Sequence, residues 1–125
     1  MHIQFAELPV VDQDRARDFY VEKLGCRVVA DVAMSPGGWR WVELALGAAE
    51  THLHLVRRRD DQNADEPVMV LIDADVAGVT MALRDKGVEI VSEPGPAPYD
   101  PDLTVAVFRD SEGNQVVVSS PAAAR

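Results

Sequence analysis

Residues 24–29 read Leu-Gly-Cys-Arg-Val-Val, and residues 86–91 echo them as Lys-Gly-Val-Glu-Ile-Val. The step from 24 to 86 is 62, half of a 125-residue chain. Self-similarity at that spacing marks one supersecondary unit written twice. The element order of the first half therefore constrains that of the second.

In the first half, residues 3–11 are extended and apolar-rich, and Asp12 stands where a helix N-cap belongs. Ala16, Phe19, Tyr20 and Leu24 then recur at helical spacing, and Gly25 supplies the stop. Residues 26–34 read as a strand and Ser35-Pro36-Gly37-Gly38 as a turn. Two more strands are expected at 39–46 and 51–58, joined by the short connection 47–50. Residues 59–66 are charged and aperiodic, which predicts a linker.

The pattern then restarts. Residues 67–73 form an apolar strand, and Asp75 can cap a helix with Val76, Val79 and Leu83 on one face. Gly87 closes that helix, and 88–91 is again strand. The proline-rich stretch 92–103, with Tyr99, reads as a loop. A final hairpin is expected at 104–109 and 115–120, turning on Asp110-Ser111-Glu112-Gly113-Asn114. The predicted class is α+β, a single domain over 1–125 made of two βαβββ modules at about 1–60 and 67–121.

A formal net charge of −9 bears on partners rather than fold. Most of such a surface repels a polyanion, so nucleic-acid binding is not expected. The one basic run, Arg57-Arg58-Arg59, is followed at once by Asp60 and Asp61 and reads as a solvated loop. No apolar run approaches the ~20 residues that span a bilayer, and the first residues lack a signal peptide's basic and apolar regions. The single cysteine, Cys26, excludes an intramolecular disulfide and reads as an inert thiol. A reducing, cytoplasmic setting is expected.

Parity in one hairpin sorts the side chains. With an even loop at 47–50, Glu43 falls opposite His54, and opposite residues share a sheet face. One face then collects Val42, Leu44, Leu46, Leu53 and Leu55, a surface for helix packing. The other collects Trp39, Trp41, Glu43, Ala45, His52, His54 and Val56, large amphipathic rings among a few ionisable groups. That mixture suits a ligand wall.

Three stretches carry a family resemblance. They are Leu8-Pro9-Val10-Val11-Asp12 with Ala16, Asp18-Phe19-Tyr20 and Leu24-Gly25-Cys26; Asp75-Val76 with Leu83 and Lys86-Gly87-Val88; and Phe108-Arg109-Asp110-Ser111-Glu112-Gly113-Asn114. Together they resemble the vicinal-oxygen-chelate superfamily of glyoxalase, bleomycin-resistance and dioxygenase proteins. The third is similar to its Phe-x-Asp-Pro-x-Gly-Asn turn, with Ser111 in place of proline. The resemblance implies a curved mixed sheet around a cavity, helices on its convex face, and commonly a homodimer.

In metal-dependent members four strand positions hold a divalent ion. Carried over, these are Phe5, His54, about Val68 and Val117, of which only His54 can ligate. Catalytic zinc takes three protein ligands and non-haem iron two His and a carboxylate, so no metal centre is expected. A different register would instead gather Glu7, Glu43, His52 and His54. Expected ligand contacts are Phe5, Glu7, Trp39, Trp41, Glu43, His52, His54 and Tyr99. Two functions follow: a metal-free protein that binds a flat aromatic or antibiotic-like molecule, and, as the alternative, a lyase, isomerase or dioxygenase-like enzyme using Glu43 and His54, either metal-free or dependent on a divalent metal.

Overall fold

The computed structural model of the chain describes residues 1–59 and 65–122. Ten elements alternate as β1 (Phe5–Val10), α1 (Gln13–Leu24), β2 (Arg27–Ala33), β3 (Arg40–Ala45) and β4 (His52–Arg57), then β5 (Pro67–Ile72), α2 (Val76–Asp85), β6 (Ile90–Ala97), β7 (Asp100–Arg109) and β8 (Gln115–Ser119). This is α+β, βαβββ stated twice. The chain divides into two compact units, Met1–Gln62 and Asn63–Arg125. Most of the sequence-predicted linker, residues 60–64, lies outside the described residues.

The first unit is a mixed sheet in the order β1-β4-β3-β2, with β1 parallel to β4 and the other pairs antiparallel. Asp12 caps α1 by accepting from the Arg15 N–H at 3.0 Å. Gly25 ends the helix in the left-handed region at φ 72°, where a Cβ would be strained. The helix rests on the leucine face, where Leu8, Val10, Val42, Leu44, Leu53 and Leu55 are buried with Ala16 and Tyr20. Burying a Leu or Val side chain is worth about 1.5–3 kcal/mol.

Gln13 is a buried polar residue that helical periodicity did not single out. Its side-chain amide donates to the Arg40 carbonyl at 2.7 Å and accepts from the Arg40 N–H at 3.0 Å. In effect the amide adds one rung of β-pairing to the start of β3, and so ties the helix to the strand.

The second unit repeats the plan as β5-β8-β7-β6, with β5 parallel to β8. Asp75 caps α2 through the Gly78 N–H at 2.9 Å. The buried stripe of α2 is Val76, Thr80 and Leu83, so Val79 stands only half-buried beside it. The Thr80 hydroxyl satisfies itself on the Val76 carbonyl at 2.8 Å.

One element departs from expectation. Residues 92–103 are not a loop: β6 runs to Ala97 and β7 starts at Asp100, leaving Pro98 and Tyr99 as a two-residue turn. Pro94 and Pro96 are tolerated because β6 is the edge strand, where a missing N–H breaks few rungs. The register shifts at Ser92 and Gly95 absorb the remaining mismatch.

The last hairpin turns as expected. Asp110 accepts from the N–H groups of Glu112 and Asn114 at 2.8 and 2.9 Å, and Asn114 returns a side-chain bond at 3.0 Å. Gly113 adopts φ 81° between them. The Asp110 carboxylate thus replaces the backbone partners that two N–H groups of a five-residue turn lack, and the Asn114 amide braces that carboxylate.

Candidate functional site

The even hairpin register holds: Glu43 pairs with His54 and Leu44 with Leu53. On the parallel side Phe5 pairs with His52 and Glu7 with His54. Alternation therefore puts Phe5, Glu7, Trp41, Glu43, His52 and His54 on one face of the first unit's sheet, opposite the helix.

Three rings on that face touch. The Trp41 indole lies over the His54 imidazole, with centroids 3.9 Å apart and planes inclined 31°. Phe5 stands edge-on to Trp41 at 5.4 Å and tilted to His54 at 5.6 Å. Such pairs add about 0.5–1.5 kcal/mol beyond buried area, so the cluster is a stiff platform.

Being opposite in the ladder does not make Glu43 and His54 hydrogen-bond partners. The Glu43 carboxylate lies 2.5 Å from His52 Nδ1 and accepts from the Trp41 Nε1–H at 3.4 Å. His54 stacks its face on Trp41, while the carboxylate meets the neighbouring imidazole. The pair is shielded, with side-chain exposures of 13% for Glu43 and 22% for His52. His52 is thus held by a carboxylate.

Trp39 is set apart from this platform. It precedes β3, and the Arg57 guanidinium lies over its ring at 4.8 Å. Both line a cleft of about 630 Å³ with Val10, Val11, Arg58 and Arg59. Arg57 ends β4, and Arg57 and Arg59 are exposed, as a solvated run predicts, while all three arginines also border this cleft. Carrying the Glu43–His54 register outward places Trp39 opposite Arg58, so its nearness to the run was legible, whereas the Arg57 contact was not. Tyr99 lies in the second unit at the tip of the β6–β7 hairpin, 72% exposed.

Electrostatics elsewhere are structural. Asp31 on β2 accepts from Arg40 at 2.8 Å and Arg17 at 2.7 Å. The Arg40 bond is the largest effect and, with Arg17, holds its carboxyl below the usual range against burial, which raises it. Burial pushes the Cys26 thiol up to about 11, leaving it protonated and unreactive.

The residues at the superfamily's metal positions do not fit an ion. Phe5, Val68 and Val117 offer no donor atom, which leaves His54 alone. The other set, Glu7, Glu43, His52 and His54, forms no centre either: among the described residues no three His, Cys, Asp or Glu side chains are grouped to hold a metal.

Two βαβββ units, each with a parallel pair at one sheet edge and a helix on one face, define a glyoxalase-like fold. The chain belongs to the Glyoxalase/Bleomycin resistance protein/Dioxygenase superfamily, whose sequence profile matches residues 2–118. It is 30% identical to the protein YurT of Bacillus subtilis (strain 168) over 129 residues, covering 94% of this chain and 98% of that one. Among solved structures it is similar to TnmS3, an antibiotic binding protein from Streptomyces sp. CB03234, with TM-score 0.81 and 30% identity over 98% and 97% of the two chains. A superfamily member from Sphaerobacter thermophilus DSM 20745 superposes with TM-score 0.82 at 26% identity, over 97% and 98%.

Proposed function

We propose that this protein binds a flat aromatic or antibiotic-like small molecule against the Phe5–Trp41–His54 platform, without a metal ion, as a cytoplasmic homodimer. The observation that carries the reading is the Trp41–His54 stack at 3.9 Å. It presents a rigid π-surface flanked by a fixed carboxylate, and a planar ligand gains stacking there at little ordering cost. Similarity to an antibiotic binding protein across nearly the full chain supports the same class of ligand. The donor-poor residues at the metal positions support binding in which no ion takes part.

A second reading has its own observation. The Glu43 carboxylate fixes His52 through Nδ1, which directs Nε2 away from it, the arrangement of an oriented general base. If the protein is an enzyme, its acid/base pair is Glu43 with His52 rather than with His54.

The test is a fluorescence screen of planar aromatic compounds and antibiotics on protein purified without chelator, its metal content measured by elemental mass spectrometry. Saturable quenching that Trp41→Ala abolishes, in protein holding far below one equivalent of metal, is the expected result. Stoichiometric, slowly chelated metal would refute the metal-free reading. Binding that survives Trp41→Ala would move the ligand off the platform.

A further inference from the structure

His52 is held at both its backbone and its ring. Its N–H donates to the Gln4 carbonyl at 2.9 Å, and its Nδ1 lies 2.5 Å from the Glu43 carboxylate. A carboxylate only accepts, so the proton of this bond sits on Nδ1. The other Glu43 oxygen accepts from the Trp41 Nε1–H at 3.4 Å, so each oxygen already has a donor. In a neutral imidazole whose Nδ1 carries the proton, Nε2 is left with a bare lone pair. It sits at the far tip of the ring, and among the described residues no group hydrogen-bonds it.

This acceptor stands beside the ring cluster. His52 and His54 share a face of β4 two residues apart, about 6.4–6.8 Å along the strand. Phe5, the ladder partner of His52, touches both Trp41 and His54. A fused bicyclic ring on the Trp41–His54 stack reaches across that gap with one ring hydroxyl. The adjacent Glu43 carboxylate repels an anionic group at this spot and favours a neutral donor. An acceptor already fixed by Glu43 also loses little freedom when a ligand binds.

We propose, resting on the Phe5–Trp41–His54 platform as the ligand face, that His52 Nε2 selects planar fused-ring phenols by accepting their hydroxyl proton in a hydrogen bond. The rings supply most of the affinity, and His52 determines which substituted rings are kept.

The test titrates the full chain with naphthol, with its methyl ether, which lacks the donor, and with naphthoate, which is an anion. All three carry the substituent at the same ring position. At about pH 8 ring ¹⁵N spectra of the unsubstituted protein should show the proton on His52 Nδ1 and none on Nε2. Naphthol should shift Nε2 more than Nδ1 and bind roughly fivefold tighter than either other compound. In His52→Phe, which keeps a ring and removes the acceptor, that preference should fall below about twofold. Circular dichroism checks that this variant folds, and the comparison of the three compounds on the unsubstituted protein decides the matter where it does not. Five outcomes overturn the proposal: a protonated Nε2 in the free protein, no saturable binding of naphthol, equal binding of the ether, tighter binding of naphthoate, or a preference that survives in folded His52→Phe. If naphthol and its ether bind alike and Trp41→Ala abolishes both, the platform stands and only the role of His52 falls. Binding untouched by Trp41→Ala removes the platform itself.

Discussion

Glu43 lies at the meeting point of three side chains, and its partners decide what the aromatic face can do. It accepts from Trp41 and pairs with His52, so it fixes an indole and an imidazole at once. Glu43→Gln keeps the shape and removes the charge. The ring ¹⁵N shifts of His52 should then change more than those of His54, ligand affinity should fall, and stability should move by less than about 1 kcal/mol. A response at His54 with none at His52 would reverse the assignment. The strand register was legible from loop parity, but the hydrogen-bond partner was not. Opposition on a ladder sets Cβ distance, whereas the rotamers, here a stack for His54 and a carboxylate contact for His52, are set by side-chain packing. Cys26 behaves as its sequence context implied. With its thiol raised to about 11 by burial, alkylation near pH 8 should be slow in the native protein and rapid in denaturant. Fast native labelling would show the site to be open.

At the scale of elements, α1 is fastened at both ends and along its length. Asp12 caps it, Gly25 ends it, and the Gln13 amide pairs with Arg40 on β3. Around this joint Arg40 also reaches Asp14 at 2.6 Å and Asp31 at 2.8 Å, while Arg17 reaches Asp31 at 2.7 Å. Caps and stops are local chemistry and were readable in order. The Gln13 bond was not, because a glutamine at a helix start has no periodic signature and its partner is 27 residues away. The Asp31 carboxyl is held below its usual value of 3.8 in the fold. Its stabilising share is therefore fully present above that value and lost as pH falls through the lowered one. Thermal midpoints measured from pH 7 to about pH 2 should drop less steeply in Asp31→Asn than in the parent. Parallel curves would show that the arginine contacts contribute nothing to folding.

For the whole molecule, edges matter. β2 and β5 are edge strands whose Val28, Val32 and Met34 neighbourhood, and whose Val70 and Ile72, leave apolar side chains exposed. Soluble chains rarely leave such edges bare, and a second copy is the simplest cover. Sedimentation velocity should give a homodimer at working concentration, dissociating when Val32 and Ile72 are both changed to Lys. A monomer at every concentration would refute that assembly. No helix among the described residues is long and apolar enough to cross a membrane.

The repeat, the caps at Asp12 and Asp75, the stop at Gly25 and the Asp110–Asn114 turn are written in neighbouring residues, so the sequence by itself determined the two βαβββ units and the β3–β4 register. Tertiary structure decided what local pattern does not encode. Position at a sheet edge let β6 carry Pro94 and Pro96 as a strand where composition had promised a loop. Non-local contact separated Trp39 from Trp41, although alternation had placed them together, because Trp39 stands outside the strand and is held by Arg57. The same contact fixes Arg57 at the border of a cleft that Arg58 and Arg59 also line. Backbone periodicity reports the face to which a residue belongs, while the partner it finds there depends on packing between segments distant in the chain.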